Sequence, residues 1–265
     1  MIKGICEYFG VKAPMKERLY KIKEYGFDAI ITSADKKFDK TNGKFRKRVN
    51  YAKKIGLKLS SLHSSYDHES FNLFLDNKIG NKVAKKLIKE VKMCSKYGFL
   101  CLVVHLYGEP SEVGIDRINR ILKVCDKYNV DLAIENILYP HVFDYVFKNI
   151  KHDHLKMCYD SGHNNCFEKG REFFPEFNKK LVCLHLHDNF GEKDDHMPFN
   201  LGGQVNIDKV AKDLINTKVV NLDFEILCHN KVLTTIDEIL SKTMENAKYI
   251  EAIVEKERKK LQSNC

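Results

Sequence analysis

The 265 residues are 43% hydrophobic and 31% charged with a formal net charge of +9, the make-up of a soluble globular chain able to bury a sizeable core. No stretch reaches the roughly 18 apolar residues of a bilayer span, and MIKGICEYFG lacks a long apolar h-region, so neither a membrane partner nor export is expected. Nine cysteines without a C-x-x-C pair, several inside apolar runs (Cys6, Cys101, Cys158, Cys183), argue against a disulfide framework and suit reduced thiols in the cytoplasm.

Short apolar runs alternate with longer lysine-rich amphipathic stretches along the whole chain. Strands are predicted at 2–8 (IKGICEY), 27–33, 57–63, 99–105 (FLCLVVH), 131–136 (DLAIEN), 155–160, 181–188 (LVCLHLHD) and 220–226 (VNLDFEI). Helices are predicted near 15–25, 44–55, 79–97, 114–128, 141–149, 170–179, 206–216 and 234–256. In 79–97, Val83, Leu87, Val91 and Cys94 recur every three or four residues, the helical period. Gly26, Gly56 and Gly98 each fall between a helix and the next strand, where a helix C-cap favours glycine. Eight β–α units in about 250 residues fit a closed (β/α)8 TIM barrel. A doubly wound open sheet would usually carry a Gly-rich phosphate loop after its first strand, and none follows 2–8. Without a linker, repeat or low-complexity tract, residues 1–265 read as one domain whose EKERKKLQSNC end is a fraying, solvated helix terminus. Residues 36–58 hold ten Lys or Arg and one Asp, either a solvated helix face or a surface attracting nucleic acid or phosphorylated substrates.

Ligand-type residues collect at the strand ends. His63 ends the third predicted strand, His105 the fourth, Glu135 the fifth and Asp160 the sixth, with His163 three residues on. His185 lies near the end of the seventh, Asp194 and His196 follow in its loop, and Glu225 closes the eighth. A parallel barrel opens every strand's C-terminal end on one face, so these residues converge on one mouth. Glu135, Asp160 and Glu225 sit in apolar strands, and three carboxylates there would repel one another unless a cation neutralised them. Mixed imidazole and carboxylate donors suit Zn, Mn, Co or Fe, and no cysteine stands at a strand end to make a thiolate zinc site.

In SLHSSYD (61–67), VVHLYGEP (103–110), AIEN (133–136), YDSGH (159–163), HLHDN (185–189), DDHMPFNLGGQ (194–204) and DFEI (223–226), taken in this order, the chain resembles the xylose isomerase-like TIM barrels. That superfamily includes sugar isomerases and epimerases and also endonuclease IV. The resemblance implies a central metal site of Glu135, Asp160, His185 and Glu225, the two glutamates being the catalytic proton carriers. Endonuclease IV-like members hold three zinc ions. On that pattern His63, His105 and Glu135 would take one ion, the central four a second, and His163, Asp194 and His196 a third, giving one to three ions per chain. His163 and His187 are the expected substrate contacts, and His187, on one strand face with His185, is an alternative ligand. The Gly-Gly at 202–203 would let the backbone turn tightly beside the site.

The expected activity is a metal-dependent isomerase or epimerase of a sugar or sugar phosphate, acting through an enediolate. The alternative is a phosphodiesterase acting on abasic DNA. The ligand set and the basic run favour it; NILYPHVFDYV after Glu135 and the departure of VVHLYGEP from His-Pro-Gly oppose it. Only Phe38, Phe45 and Tyr66 present themselves as aromatic wedges. A metal-binding protein without turnover, or a dehydratase, is the third reading. The sugar and the oligomeric state stay open.

Overall fold

A computed structural model describes residues 1–65 and 68–263; Tyr66 therefore lies outside the described residues. Eight strands form one parallel sheet: β1 (Ile2–Cys6), β2 (Ala29–Ser33), β3 (Lys58–His63), β4 (Cys101–Val104), β5 (Asp131–Glu135), β6 (Leu155–Asp160), β7 (Leu181–His185) and β8 (Asn221–Phe224). Their order is β7-β6-β5-β4-β3-β2-β1-β8. The last gap closes through a parallel bridge between Leu186 and Phe224, where Leu186 N–H donates to Asp223 (2.9 Å) and Glu225 N–H donates to Leu186 (3.2 Å). The expected (β/α)8 barrel is thus the fold. Its closing seam runs between the segments that carry His185 and Glu225.

The helices α1 (Met15–Glu24), α3 (Phe45–Lys54), α4 (Lys78–Tyr97), α5 (Glu112–Tyr128), α6 (Pro140–Asn149), α8 (Ile207–Leu214) and α9 (Ile236–Ser263) match the predicted set, joined by α2 (Lys36–Asn42) and α7 (Ser161–Phe167). The α4 stripe Val83, Leu87, Val91 and Cys94 is buried, as its spacing requires. Gly26, Gly56 and Gly98 all have positive φ at helix ends.

Three expectations are corrected. The helix predicted at 170–179 is a run of turns, and the helix of that unit is α7, directly after β6. Its aromatics, Phe173 and Phe177, pack in a cluster with Phe143. Strand β4 stops at Val104, so His105 is the first loop residue. The C-terminal segment is the exposed helix end expected, but it stays helical to Ser263 without fraying, anchored where Arg258 donates to the carbonyls of Leu214 and Thr217, each at 2.8 Å.

Inside the barrel, Cys101, Val103, Ala133, Cys158 and Cys183 form a small-residue plug. The eight described cysteines are free thiols. A polar layer borders the plug: the Ser60 hydroxyl donates to Asp223 Oδ2 (2.5 Å), and Asn221 Nδ2 donates to Ser60 Oγ (2.9 Å). Asp223 is fully buried and its Oδ1 has no hydrogen-bond partner.

Burial pushes the Asp223 carboxyl up to about 6, against the hydrogen bonds from Ser60 and Asn221 that favour its charge. A carboxyl raised above its unfolded value of about 3.9 binds its proton more tightly when folded, so its contribution to stability is lost as pH rises through about 6. The shift corresponds to a penalty of about 3 kcal/mol at neutral pH. Asp223→Asn, which keeps the shape without the charge, should therefore gain stability over the parent between pH 5 and pH 8 in urea unfolding. A constant difference across that range would contradict the assignment.

Candidate metal centre

The strand ends from β3 to β8 contribute in turn. His63 is the last residue of β3, His105 follows β4, Glu135 and Asp160 end β5 and β6, His185 ends β7, and Glu225 follows β8. The structure brings all nine predicted ligands and His187 together in three adjoining groups. They are His63, His105 and Glu135; Glu135, Asp160, His185 and Glu225; and His163, His187, Asp194 and His196. Within each group the donor atoms lie within 4.8 Å of one another. Glu135 belongs to the first two. A further grouping pairs Cys158 with Glu135 and His185, but burial pushes that thiol well up, which makes it a poor ligand beside carboxylates and imidazoles.

His187 sits in the third group, not in the place of His185. Its Nε2 is 3.1 Å from Asp160 Oδ2 and 3.5 Å from Asp194 Oδ1, and its ring stacks on His196 at 4.1 Å. The chain makes room for that ring with Gly162, because a Cβ there would lie 1.9 Å from His187 Cε1. Gly203 makes a similar allowance, since its Cβ would fall 2.3 Å from the Asp188 carboxyl carbon.

The hydrogen bonds of the rings decide which nitrogen faces inward. His63 Nδ1 is 2.9 Å from the Ser64 carbonyl, His163 Nδ1 3.0 Å from that of Asn136, and His196 Nδ1 3.0 Å from that of Glu225. A carbonyl only accepts, so each Nδ1 carries the hydrogen and each neutral ring turns its Nε2 lone pair into the site. This is the outer-shell arrangement that orients metal-bound imidazoles. The lone pairs then meet other acceptors: His163 Nε2 and His196 Nε2 lie 3.1 and 2.7 Å from Asp194 Oδ2, and His63 Nε2 lies 3.2 Å from His105 Nε2. Facing acceptors repel, so a proton or a cation must lie between each pair; between His63 and His105 a hydrogen on His105 Nε2 suffices, with His105 Nδ1 then accepting from the Tyr107 hydroxyl (2.7 Å).

The carboxylates make the same demand. Glu135 is 1% exposed and neither oxygen has a partner in hydrogen-bond geometry; the same holds for both ring nitrogens of His185 and for Asp194 Oδ1. Each such atom left unsatisfied costs about 1–3 kcal/mol. Burial would raise the Glu135 carboxyl, but the His185 and His105 imidazoles outweigh it and hold Glu135 well below the usual range. Burial likewise opposes, and His185 reverses, the shift that keeps Glu225 ionised. In the other direction, burial disfavours charge on His185 and His196. The Glu225 and Glu135 carboxylates nevertheless raise His185 well above its ordinary value, and Asp194 raises His196 to about 9. The cluster thus requires positive charge, supplied by imidazolium protons or by divalent cations competing for the same nitrogens. Nitrogen and carboxylate donors in these positions fit first-row transition metals.

Residues to which the sequence reading gave no role hold the site in shape. Asn136 ties β5 to β6, donating to the Asp160 carbonyl (2.9 Å) and accepting from Asp160 N–H (2.8 Å). Ser161 clamps the His187 backbone, its hydroxyl donating to the carbonyl (2.7 Å) and accepting from the N–H (3.0 Å). Asp160 Oδ1 caps α7 by accepting from His163 N–H (2.6 Å). His196 adopts a left-handed φ of 48°, which lets its carbonyl accept from both Leu227 and Cys228. Asn136 stood in the AIEN motif and Ser161 in YDSGH, so position was legible even where role was not.

The family described as xylose isomerase-like TIM barrel matches residues 19–249, and this chain belongs to it. Among solved structures, an L-ribulose 3-epimerase superposes with a TM-score of 0.76 at 12% identity, covering 98% of this chain and 96% of that one. D-Psicose 3-epimerase from Clostridium cellulolyticum H10, solved with D-tagatose, gives 0.73 at 15% identity, with coverage of 96% and 99%. The IOLI protein with a bound zinc atom gives 0.74 at 15%, with coverage of 94% and 98%. At these identities the likeness establishes the fold. Among curated sequences, the uncharacterized protein y4fM of Sinorhizobium fredii is 32% identical over 119 residues, 42% of this chain and 38% of its own length. Uncharacterized protein MJ1614 of Methanocaldococcus jannaschii is 27% identical over 143 residues, 52% of this chain and 54% of its own. The chain thus spans about half or less of the length of these relatives.

The space that Gly162 leaves for His187 is testable. In Gly162→Ala the ring must move, so metal affinity at the His163, His187, Asp194 and His196 group should fall about 10–100-fold, the range typical of disturbed outer-shell support. Elemental analysis after dialysis against a weak chelator should show fewer ions per chain in the variant, with the circular dichroism of the barrel preserved. Unchanged metal content would mean that His187 takes no part.

Proposed function

We propose that this protein is a divalent-metal-dependent isomerase or epimerase of a sugar or sugar phosphate. The carrying observation is the convergence of Glu135 and Glu225 on one ring nitrogen: His185 Nδ1 is 3.1 Å from Glu135 Oε2 and 3.0 Å from Glu225 Oε2. Two carboxylates kept ionised around one centre can take a proton from a carbon and return one to it. Asp160, His185 and the two glutamates would hold the central ion, which supplies Lewis-acid polarisation of a substrate carbonyl. Placement then does much of the work, since a carboxylate with so low a proton affinity is a weak base and acts through proximity. His163 and His187, beside the central group, would hold substrate oxygens. The related folds solved as sugar 3-epimerases, two of them described with D-tagatose or D-allulose, support a ketose-like substrate.

A second reading rests on a separate observation. Three adjoining donor groups are more than proton transfer at one carbon requires, and they suit a multinuclear phosphodiesterase acting on abasic DNA. The aromatic side chains do not favour it. Phe45 and Phe38 are half-buried and pack edge-on against Tyr97 and Tyr8, so neither projects from the surface as a wedge between stacked base pairs.

Protein purified without chelator should carry at least one Zn, Mn, Co or Fe ion per chain by elemental analysis. Incubated with candidate ketoses in deuterated water, it should place deuterium on the carbon next to the carbonyl. Glu225→Gln should lower that exchange by at least about 10²-fold while the ketose still binds, because the amide cannot accept the proton. If no ketose or ketose phosphate exchanges and a duplex with an abasic site is cleaved in a metal-dependent way, the nuclease reading replaces this one.

A further inference from the structure

The basic run at 36–58 is only partly absorbed by the fold. Arg48 is fully buried, donating to Glu7 Oε1 (2.5 Å) and Asp39 Oδ1 (3.0 Å), so it is structural and not part of a solvated face. Lys36, at the start of α2, instead faces a cavity of about 600 Å³ on the outer layer of the barrel, between α2–α3 and α4. Across it stand Lys82, Lys85, Lys86 and Lys89, spaced by three and four residues and therefore on one face of α4. Ala34, Phe45 and Met93 give the cavity an apolar wall.

The acids around this cavity are engaged elsewhere. Asp35 accepts from Lys37 N–H (2.7 Å), Asp39 accepts from Phe45 N–H (2.8 Å) as well as from Arg48, and Glu90 accepts from the Ser65 hydroxyl (2.5 Å). Lys86 donates to the Ser65 carbonyl (3.0 Å). Among the described residues no carboxylate lies within 4.0 Å of Lys36, Lys82, Lys85 or Lys89. Lysines gathered on two sides of one concave space focus a positive field into it. Lys82 to Lys89 extends about 10 Å along the helix, longer than a single phosphate needs. Lysine is a point-charge partner for phosphate, and an aromatic ring beside an apolar wall suits a base. A walled cavity of this volume fits a discrete small molecule better than a continuous strand.

We propose that this cavity binds a nucleoside polyphosphate, its phosphates laid along Lys82, Lys85 and Lys89 opposite Lys36 and its base against Phe45 and Met93. The site lies outside the metal centre and does not depend on the chemistry proposed there.

Calorimetric titration of the full-length, metal-loaded protein with ATP at low salt tests it. ATP should bind, the combined Lys82→Glu, Lys85→Glu and Lys89→Glu variant should bind it at least about tenfold more weakly, and Asp160→Ala in the metal centre should bind it within about twofold of the parent. The corresponding triple alanine variant should show a smaller loss in the same direction. Inorganic triphosphate should compete more weakly than ATP, and adenosine should not compete. Circular dichroism and metal content establish that the lysine variants are folded. The proposal is overturned if ATP fails to bind at about 1 mM, if the lysine variants bind it as the parent does, or if Asp160→Ala abolishes binding. Triphosphate binding as tightly as ATP would remove the nucleoside from the assignment. A single-stranded oligonucleotide binding more tightly than ATP through the same lysines would make the cavity a nucleic-acid track and overturn it as well.

Discussion

Everything at the mouth of this barrel answers to the crowding of three carboxylates, the buried Glu135 and Asp160 and the partly buried Glu225, around one imidazole. Buried charge of one sign is tolerated only where opposite charge meets it at close range. His63, His163 and His196, their Nδ1 hydrogens fixed by backbone carbonyls, are arranged with the other rings to meet it with either protons or cations. Glu135 is the tightest point, within 3.2 Å of His105, His163 and His185 at once. A change in charge at any of these rings is therefore felt by two of the three donor groups.

The parallel barrel is what makes such crowding attainable. Eight strands bring residues far apart in sequence to one face, and Cys101, Cys158 and Cys183 with Val103 and Ala133 fill the interior beneath it. The polar layer of Ser60, Asn221 and Asp223 puts a further titratable group inside the barrel, isolated from solvent. The two ionisable layers differ in kind. Asp223 is answered by neutral hydrogen bonds and stays close to its proton, whereas Glu135 and Glu225 are answered by charge and remain ionised.

Much of this was legible in the residues themselves. LAIEN and LDFEI place a carboxylate in otherwise apolar strands, an expensive choice that needs a reason, and the ligand positions at strand ends follow from strand assignment alone. Legibility failed where local pattern and tertiary role part company. SGHNNCF has no apolar stripe, so α7 left no helical signal, while the Phe-rich 170–179 imitated one with aromatics that pack on α6. The short α2, KKFDKTN, reads as charge and not as structure. His187 looked like a partner of His185 because the two alternate along a strand; the strand ends at His185, and the chain beyond it carries His187 to another group. The carbonyls that set the imidazole tautomers belong to the backbone and leave no mark in residue identity.

Asp160 serves two masters: one oxygen caps α7 through His163 N–H, and both oxygens lie within 3.1 Å of His187 Nε2. Divergence at this position is therefore constrained from two sides. A lineage that abandoned its chemistry would still be selected to keep a short acceptor here, because the helix that begins at Ser161 needs its first turn held. Persistence of an Asp or Asn at this position in a descendant would then testify to folding and say nothing of retained activity, whereas the fates of Glu135 and Glu225, which cap no helix, would record the proposed chemistry alone.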